Sequence, residues 1–123
     1  MIKQFSSYQI VGRGRAKTLG FPTINLKIPE NFDLKEGVYG VYIFINEIKY
    51  LAVLYYGDSP TFDDPKKTLE FFLIDSKKIP ESNNKNIKVE IIKYLRPVKK
   101  FENKKKLIKQ IEVDVKNIKF LSK

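Results

Sequence analysis

Residues 37–56, GVYGVYIFINEIKYLAVLYY, constrain the fold more than any other stretch of the chain. Val, Ile, Tyr and Phe dominate it, and these side chains fit a pleated, half-buried surface. The run divides at Asn46-Glu47, a polar pair between two β-rich halves, and so reads as a β-hairpin. A short apolar strand at 8–11 precedes it and runs into GRGRAKTLG; TLEFFLID at 68–75 and NIKVEIIKYL at 86–95 follow it. Pro29, Pro60, Pro65, Pro80 and Pro97 punctuate these runs, and residues 76–86, SKKIPESNNKN, form a polar loop.

After Pro97 the period changes. Leu107, Ile108, Ile111, Val115 and Ile118 recur at helical spacing with Lys and Asp between them, and Asn103 is placed to cap the helix. Strands followed by one terminal helix predict a mainly β fold: a small closed β-barrel with a helix laid against it, or an open sheet under a helix. A chain of 123 residues with no repeat, heptad array or linker reads as one domain, residues 1–123.

Composition removes whole classes of chemistry. There is no His and no Cys, which excludes Ser-His-Asp hydrolysis, disulfides and the usual zinc sites. What remains is carboxylates, Lys, Arg, Tyr, hydroxyls or a bound Mg²⁺, and phosphoryl transfer lies within that set. No apolar run approaches the roughly 20 residues of a membrane span, and MIKQFSSYQI has no signal-peptide core, so a cytoplasmic protein is expected.

The formal charge is +10, from 24 Lys and Arg against 14 Asp and Glu, which favours polyanionic ligands such as nucleotides. Only Arg13, Arg15 and Arg96 are arginines, however, and ordinary solvated lysine is the stronger reading. The run Lys99, Lys100, Lys104, Lys105, Lys106 and Lys109 reads as the wet face of an amphipathic helix.

Three constellations carry candidate chemistry. In the stretch GRGRAK, Gly12 and Gly14 let backbone N–H groups approach a ligand while Arg15 and Lys17 add positive charge, which suits a phosphate cradle. It is not a Walker A loop, and a plain turn between strands is the commoner use of such residues. Thr23 and Asn25 stand two apart, so in a strand they face one side and offer neutral oxygen donors to a Mg²⁺ held mainly by phosphates. The simpler alternative is that both bond nearby backbone in a turn after Pro22. Glu70 shares a strand face with Phe72 and Ile74. Facing inward, it would be a carboxylate in an apolar setting and ready to act as a base; facing outward, it would be a solvated charge.

The run GRGRAKTLGFPTINL resembles the signature of the riboflavin kinase family, the ATP-dependent flavokinases. Four further pieces follow in that family's order: IPENFDLKEGVYGVYI, AVLYYGDSPTF, TLEFFLID, and YLRPVKKF with Leu107, Gln110, Ile111 and Asp114. The resemblance covers about residues 8–116. It implies a six-stranded Greek-key β-barrel with a C-terminal α-helix and transfer of the γ-phosphoryl group of ATP to riboflavin, giving FMN and ADP. By the same resemblance Thr23 and Asn25 reach the Mg²⁺ of MgATP, with Mn²⁺ or Zn²⁺ as other possible ions. Gly12, Gly14, Arg15 and Lys17 cover the ATP phosphates, Glu70 is the catalytic base, and Arg96, Phe101 and Leu107 hold riboflavin.

Two departures stand out. Ser59 precedes PTF where the family often has Arg, and IPESNNKN replaces an acidic residue followed by Leu-Tyr-Gly. The expectation is a monomer without membrane or nucleic-acid partner, making FMN and no FAD, since no adenylyl-transferring module precedes the kinase region. The competing expectation is a flavin- or RNA-binding regulator that keeps the kinase fold; a pure binder, however, needs no base at Glu70.

Overall fold

The computed structural model describes residues 3–10, 20–76, 78–80 and 86–122. Its strands are β1 (Gln4–Ser7), β2 (Gln9–Ile10), β3 (Thr23–Leu26), β4 (Gly37–Ile45), β5 (Ile48–Ser59), β6 (Asp64–Leu73) and β7 (Ile87–Arg96). A 3-10 turn (Pro60–Phe62) lies between β5 and β6, and one helix, α1 (Lys104–Leu121), follows β7. The expected hairpin is β4–β5, paired from Gly37↔Tyr56 to Ile45↔Ile48. Asn46 and Glu47 turn it with φ of 52° and 67°, the sign that two-residue hairpin turns require.

The sheet order is β1-β7-β4-β5-β6-β3-β2, with every pairing antiparallel. Strands β4, β5 and β6 run as a meander and β7 returns beside β4, which is Greek-key order. The two outermost strands, β1 and β2, are separated in the chain by Tyr8 alone. Both edges of the sheet are therefore one residue apart, and the sheet must curl like a barrel. The resemblance implied six strands, and the described residues form seven. The difference lies at Tyr8, where the N-terminal segment switches from β7 to β3 as its partner and divides into two short strands.

Alternation puts apolar residues on both faces of this sheet. One face gathers Ile24, Val41, Ile43, Leu54, Phe71 and Val89 into the inner core. The other carries Val38, Val53, Phe72 and Ile74, which pack with Ile111 and Ile118 of α1. Asn103 caps α1 as expected, its Oδ1 accepting from the Lys106 N–H at 2.9 Å. The helix lies close because Gly40 leaves room for it; a Cβ there would stand 2.9 Å from Ile118 Cγ1. Gly37 opens β4 at φ +151°, where a Cβ would stand 2.7 Å from the Arg96 carbonyl oxygen. Among the described residues no helix is long and apolar enough to cross a membrane.

Candidate active site

Strand register assembles the site on the sheet face that α1 covers. Residues directly opposite in antiparallel strands point to the same side. Asn25 of β3 faces Glu70 of β6, Glu70 faces Tyr55 of β5, Tyr55 faces Val38 of β4, and Val38 faces Arg96 of β7. One row thus crosses five strands and carries three polar residues and a phenol through an apolar sheet. Thr23 stands in the next row, opposite Phe72.

Glu70 is 6% exposed and Asn25 is 7% exposed. Glu70 therefore takes neither of the two places weighed from the sequence. It is on the outer face of the curled sheet, the face on which α1 packs, yet it is buried. Thr23 Oγ1 donates to the Phe21 carbonyl at 3.1 Å, as the turn reading anticipated; a donating hydroxyl keeps its lone pairs for another partner.

Arg96 reaches this face through a bulge. Val38 pairs with Arg96 but Tyr39 pairs with Tyr94, so Leu95 is the extra residue. Strict alternation from Tyr94, which packs on the inner core, would turn Arg96 inward as well. Instead its guanidinium meets Asp114 of α1, from Nε at 3.2 and 3.1 Å and from Nη2 at 2.9 Å. Asp114 also accepts from Gln110 Nε2 at 3.1 Å and is 2% exposed.

The guanidinium lies 5.6 Å from the centre of the Phe101 ring, within cation–π range. The Phe101 N–H donates to Thr61 Oγ1 at 3.0 Å, which ties the segment after β7 to the 3-10 turn. Together these parts border an open cavity lined by Tyr55, Glu70, Thr61, Arg96, Phe101 and Leu107. Its walls are largely apolar with a few polar groups, the usual character of a small-molecule site.

The structure thus gathers Glu70, Arg96, Phe101 and Leu107 around one cavity. It sets Asn25 beside Glu70 on the neighbouring strand, with Thr23 one row away on the same strand face. Gly12, Gly14, Arg15 and Lys17 lie outside the described residues. Ser59, the departure before PTF, borders the cavity. Of the lysine run, Lys100 pairs with Asp63 at 3.2 Å and Lys106 with Glu102 at 2.8 Å, while Lys99 stands 5.5 Å from the Phe101 ring centre.

Tyr55, Thr61 and Asp114 were not singled out from the sequence as site residues. Asp114 had a signal: an acid on the stripe formed by Leu107, Ile111 and Ile118. Tyr55 had only its parity in the hairpin. Burial pushes the Tyr55 phenol well above its ordinary value of 10.0, with the negative charges of Asp58 and Glu70 adding to the effect. Tyr55 therefore stays a neutral donor, and its hydroxyl donates to the Asp58 carbonyl.

Among the described residues no group of three acidic or His/Cys side chains is arranged to cage a metal ion. Thr23 and Asn25 supply only neutral oxygens. That donor set fits a hard divalent ion that takes most of its ligands from phosphate and water, as Mg²⁺ does.

The family model described as "Flavokinase: Riboflavin kinase" matches residues 3–121. The RNA-binding riboflavin kinase RibR of Bacillus subtilis is 33% identical over 107 residues, which is 86% of this chain and 45% of that protein. The bifunctional riboflavin kinase/FMN adenylyltransferase of Listeria monocytogenes is 32% identical over 107 residues, 85% of this chain and 33% of that one. The chain thus spans less than half the length of these relatives. A crystal structure titled macrolide-efflux protein, from Streptococcus pneumoniae, shares the fold with a TM-score of 0.78 and 25% identity, over 94% of this chain and 38% of that one.

Proposed function

Because the chain belongs to the riboflavin kinase family, we propose that it transfers the γ-phosphoryl group of ATP to the 5′-hydroxyl of riboflavin, giving FMN and ADP. The observation that carries this reading is the position of Glu70: buried, opposite Asn25, and on the wall of the cavity that Arg96, Phe101 and Leu107 also border. A buried carboxylate beside neutral oxygen donors suits a base next to a metal–nucleotide.

In this mechanism riboflavin's ring system lies in the apolar slot between Phe101 and Leu107, and its ribityl arm extends towards Glu70. The Glu70 carboxylate accepts the proton of the 5′-hydroxyl as that oxygen bonds to the γ-phosphorus. The bond from the γ-phosphorus to the β–γ bridging oxygen breaks and ADP leaves. Thr23 Oγ1 and Asn25 Oδ1 would hold the divalent ion, generally Mg²⁺ in this family, which when bound offsets charge on the ATP phosphates. Gly12, Gly14, Arg15 and Lys17 are assigned to those phosphates by their sequence pattern. Such transfer depends mostly on positioning and charge neutralisation, with little covalent work for the protein. That agrees with a chain lacking His and Cys.

We assign residues 1–123 to one riboflavin kinase-like unit acting in the cytoplasm. Purified chain incubated with riboflavin, ATP and Mg²⁺ should yield FMN on chromatographic separation, with no FAD. FAD would reveal a nucleotidyl-transfer site as well. Absence of any phosphorylated flavin under these conditions would overturn the proposal in favour of a binding role.

A further inference from the structure

We infer that Asp114 is a positioning residue for flavin recognition: through Arg96 it sets the wall of the cavity against which the substrate ring lies. The inference rests on the riboflavin kinase reading above. Docking α1 on the sheet does not require a charge. Its buried stripe is Ile111, Asp114 and Ile118, and the flanking members pack on Val38, Val53 and Phe72 as ordinary apolar contacts. A leucine at 114 would complete that stripe. Replacing both members of a buried ion pair by apolar residues of similar volume is often neutral or stabilising, so stability alone gives no reason for the Arg96–Asp114 pair here.

The geometry supplies a different reason. The carboxylate takes Nε and Nη2 of Arg96 at 2.9–3.2 Å and is itself held by Gln110. This fork fixes the plane of the guanidinium, which in turn faces the Phe101 ring. Phe101 is anchored from its other side by its N–H bond to Thr61. A continuous series of contacts therefore runs from α1 through Arg96 and Phe101 to the 3-10 turn, and every member borders the cavity. The bulge at Leu95 is what turns Arg96 onto this face. Without Asp114, Arg96 and Phe101 lose their common orientation, and the slot for a flat ring loses its shape. The nucleotide side, carried by β3, is untouched.

The test uses Asp114→Leu and Asp114→Asn in the full chain, with folding checked by circular dichroism and thermal melting. Riboflavin affinity is read by quenching of flavin fluorescence without ATP, and KM for ATP in the kinase assay. The expected result is a folded Asp114→Leu with a lowered melting temperature, because Arg96 is left largely buried without its partner, riboflavin binding weakened tenfold or more in both variants, and KM for ATP within twofold. Arg96→Lys, which keeps the charge but loses the fork, should weaken riboflavin binding similarly. Unchanged riboflavin affinity in the folded variants would remove the positioning role and leave the kinase reading standing. Variants that all fail to fold would make the pair a structural one and overturn the inference. A wild-type chain that binds no riboflavin would overturn the kinase reading, and this inference with it.

Discussion

Asn25 and Glu70 face each other across β3 and β6, both buried on the sheet face that also carries Val38, Val53 and Phe72. Directly opposed residues hold their Cβ atoms about 4.5–5.5 Å apart, so the amide and the carboxylate share one small volume. Burying polar groups is costly unless they are satisfied. Under the function proposed above, this pairing sets the base beside a ligand of the divalent ion.

Glu70→Gln keeps the shape of the side chain, exchanges one acceptor oxygen for an NH₂ donor and removes the base. Turnover should fall by about 10²–10⁴-fold, the usual contribution of a positioned base. KM values for riboflavin and ATP should change little. Steady-state kinetics will decide, and near-normal kcat would remove Glu70 from this role.

Asn25→Ala and Thr23→Ala should each weaken Mg²⁺-dependent ATP binding and leave riboflavin binding intact. Both residues face the same side of β3, but Thr23 also bonds to Phe21, so Thr23→Ala should lower the melting temperature slightly as well. Titration calorimetry with MgATP measures the first effect. Equal affinity in wild type and both variants would leave these residues as turn and strand formers only.

Gly40→Val tests the seat of the helix. Its branched side chain would meet Ile118, already 2.9 Å from the position of a Cβ. Overpacking of this kind costs about 1–3 kcal/mol. Denaturant unfolding should show that loss, and riboflavin binding should weaken because Leu107 and Asp114 move with α1. Wild-type stability would mean that the helix can shift without cost.

Alkaline stability should depend on Tyr55. Its folded pKa is raised above 10.0 by burial and by Asp58 and Glu70. The folded state therefore holds this proton more tightly than the unfolded state does. That contribution is complete below the unfolded value and is lost as pH rises past it. Melting temperature should fall as pH rises from about 10 to about 11, and fall less steeply in Tyr55→Phe. The difference between the two slopes isolates Tyr55 from the titrating lysines; parallel slopes would show that its burial is not felt.

The sequence by itself determined the hairpin around Asn46-Glu47, the change to helical period after Pro97, the Asn103 cap and the absence of His and Cys chemistry. These are local or compositional, so period, turn residues and capping chemistry carry them. The shared face of Thr23 and Asn25 was also legible, because β-strand parity is strict over two residues. The burial of Glu70 was not, since TLEFFLID is apolar on both sides and parity cannot say which face a helix will cover. Nor was the division of the N-terminal segment at Tyr8, which follows from the two edges of a curled sheet meeting there. Arg96 shows the limit most clearly. Counted from Tyr94 it belongs inside; the extra residue Leu95 sends it to the helix and to Asp114. A bulge is set by how two whole strands fit one another, and only the tertiary structure decides that.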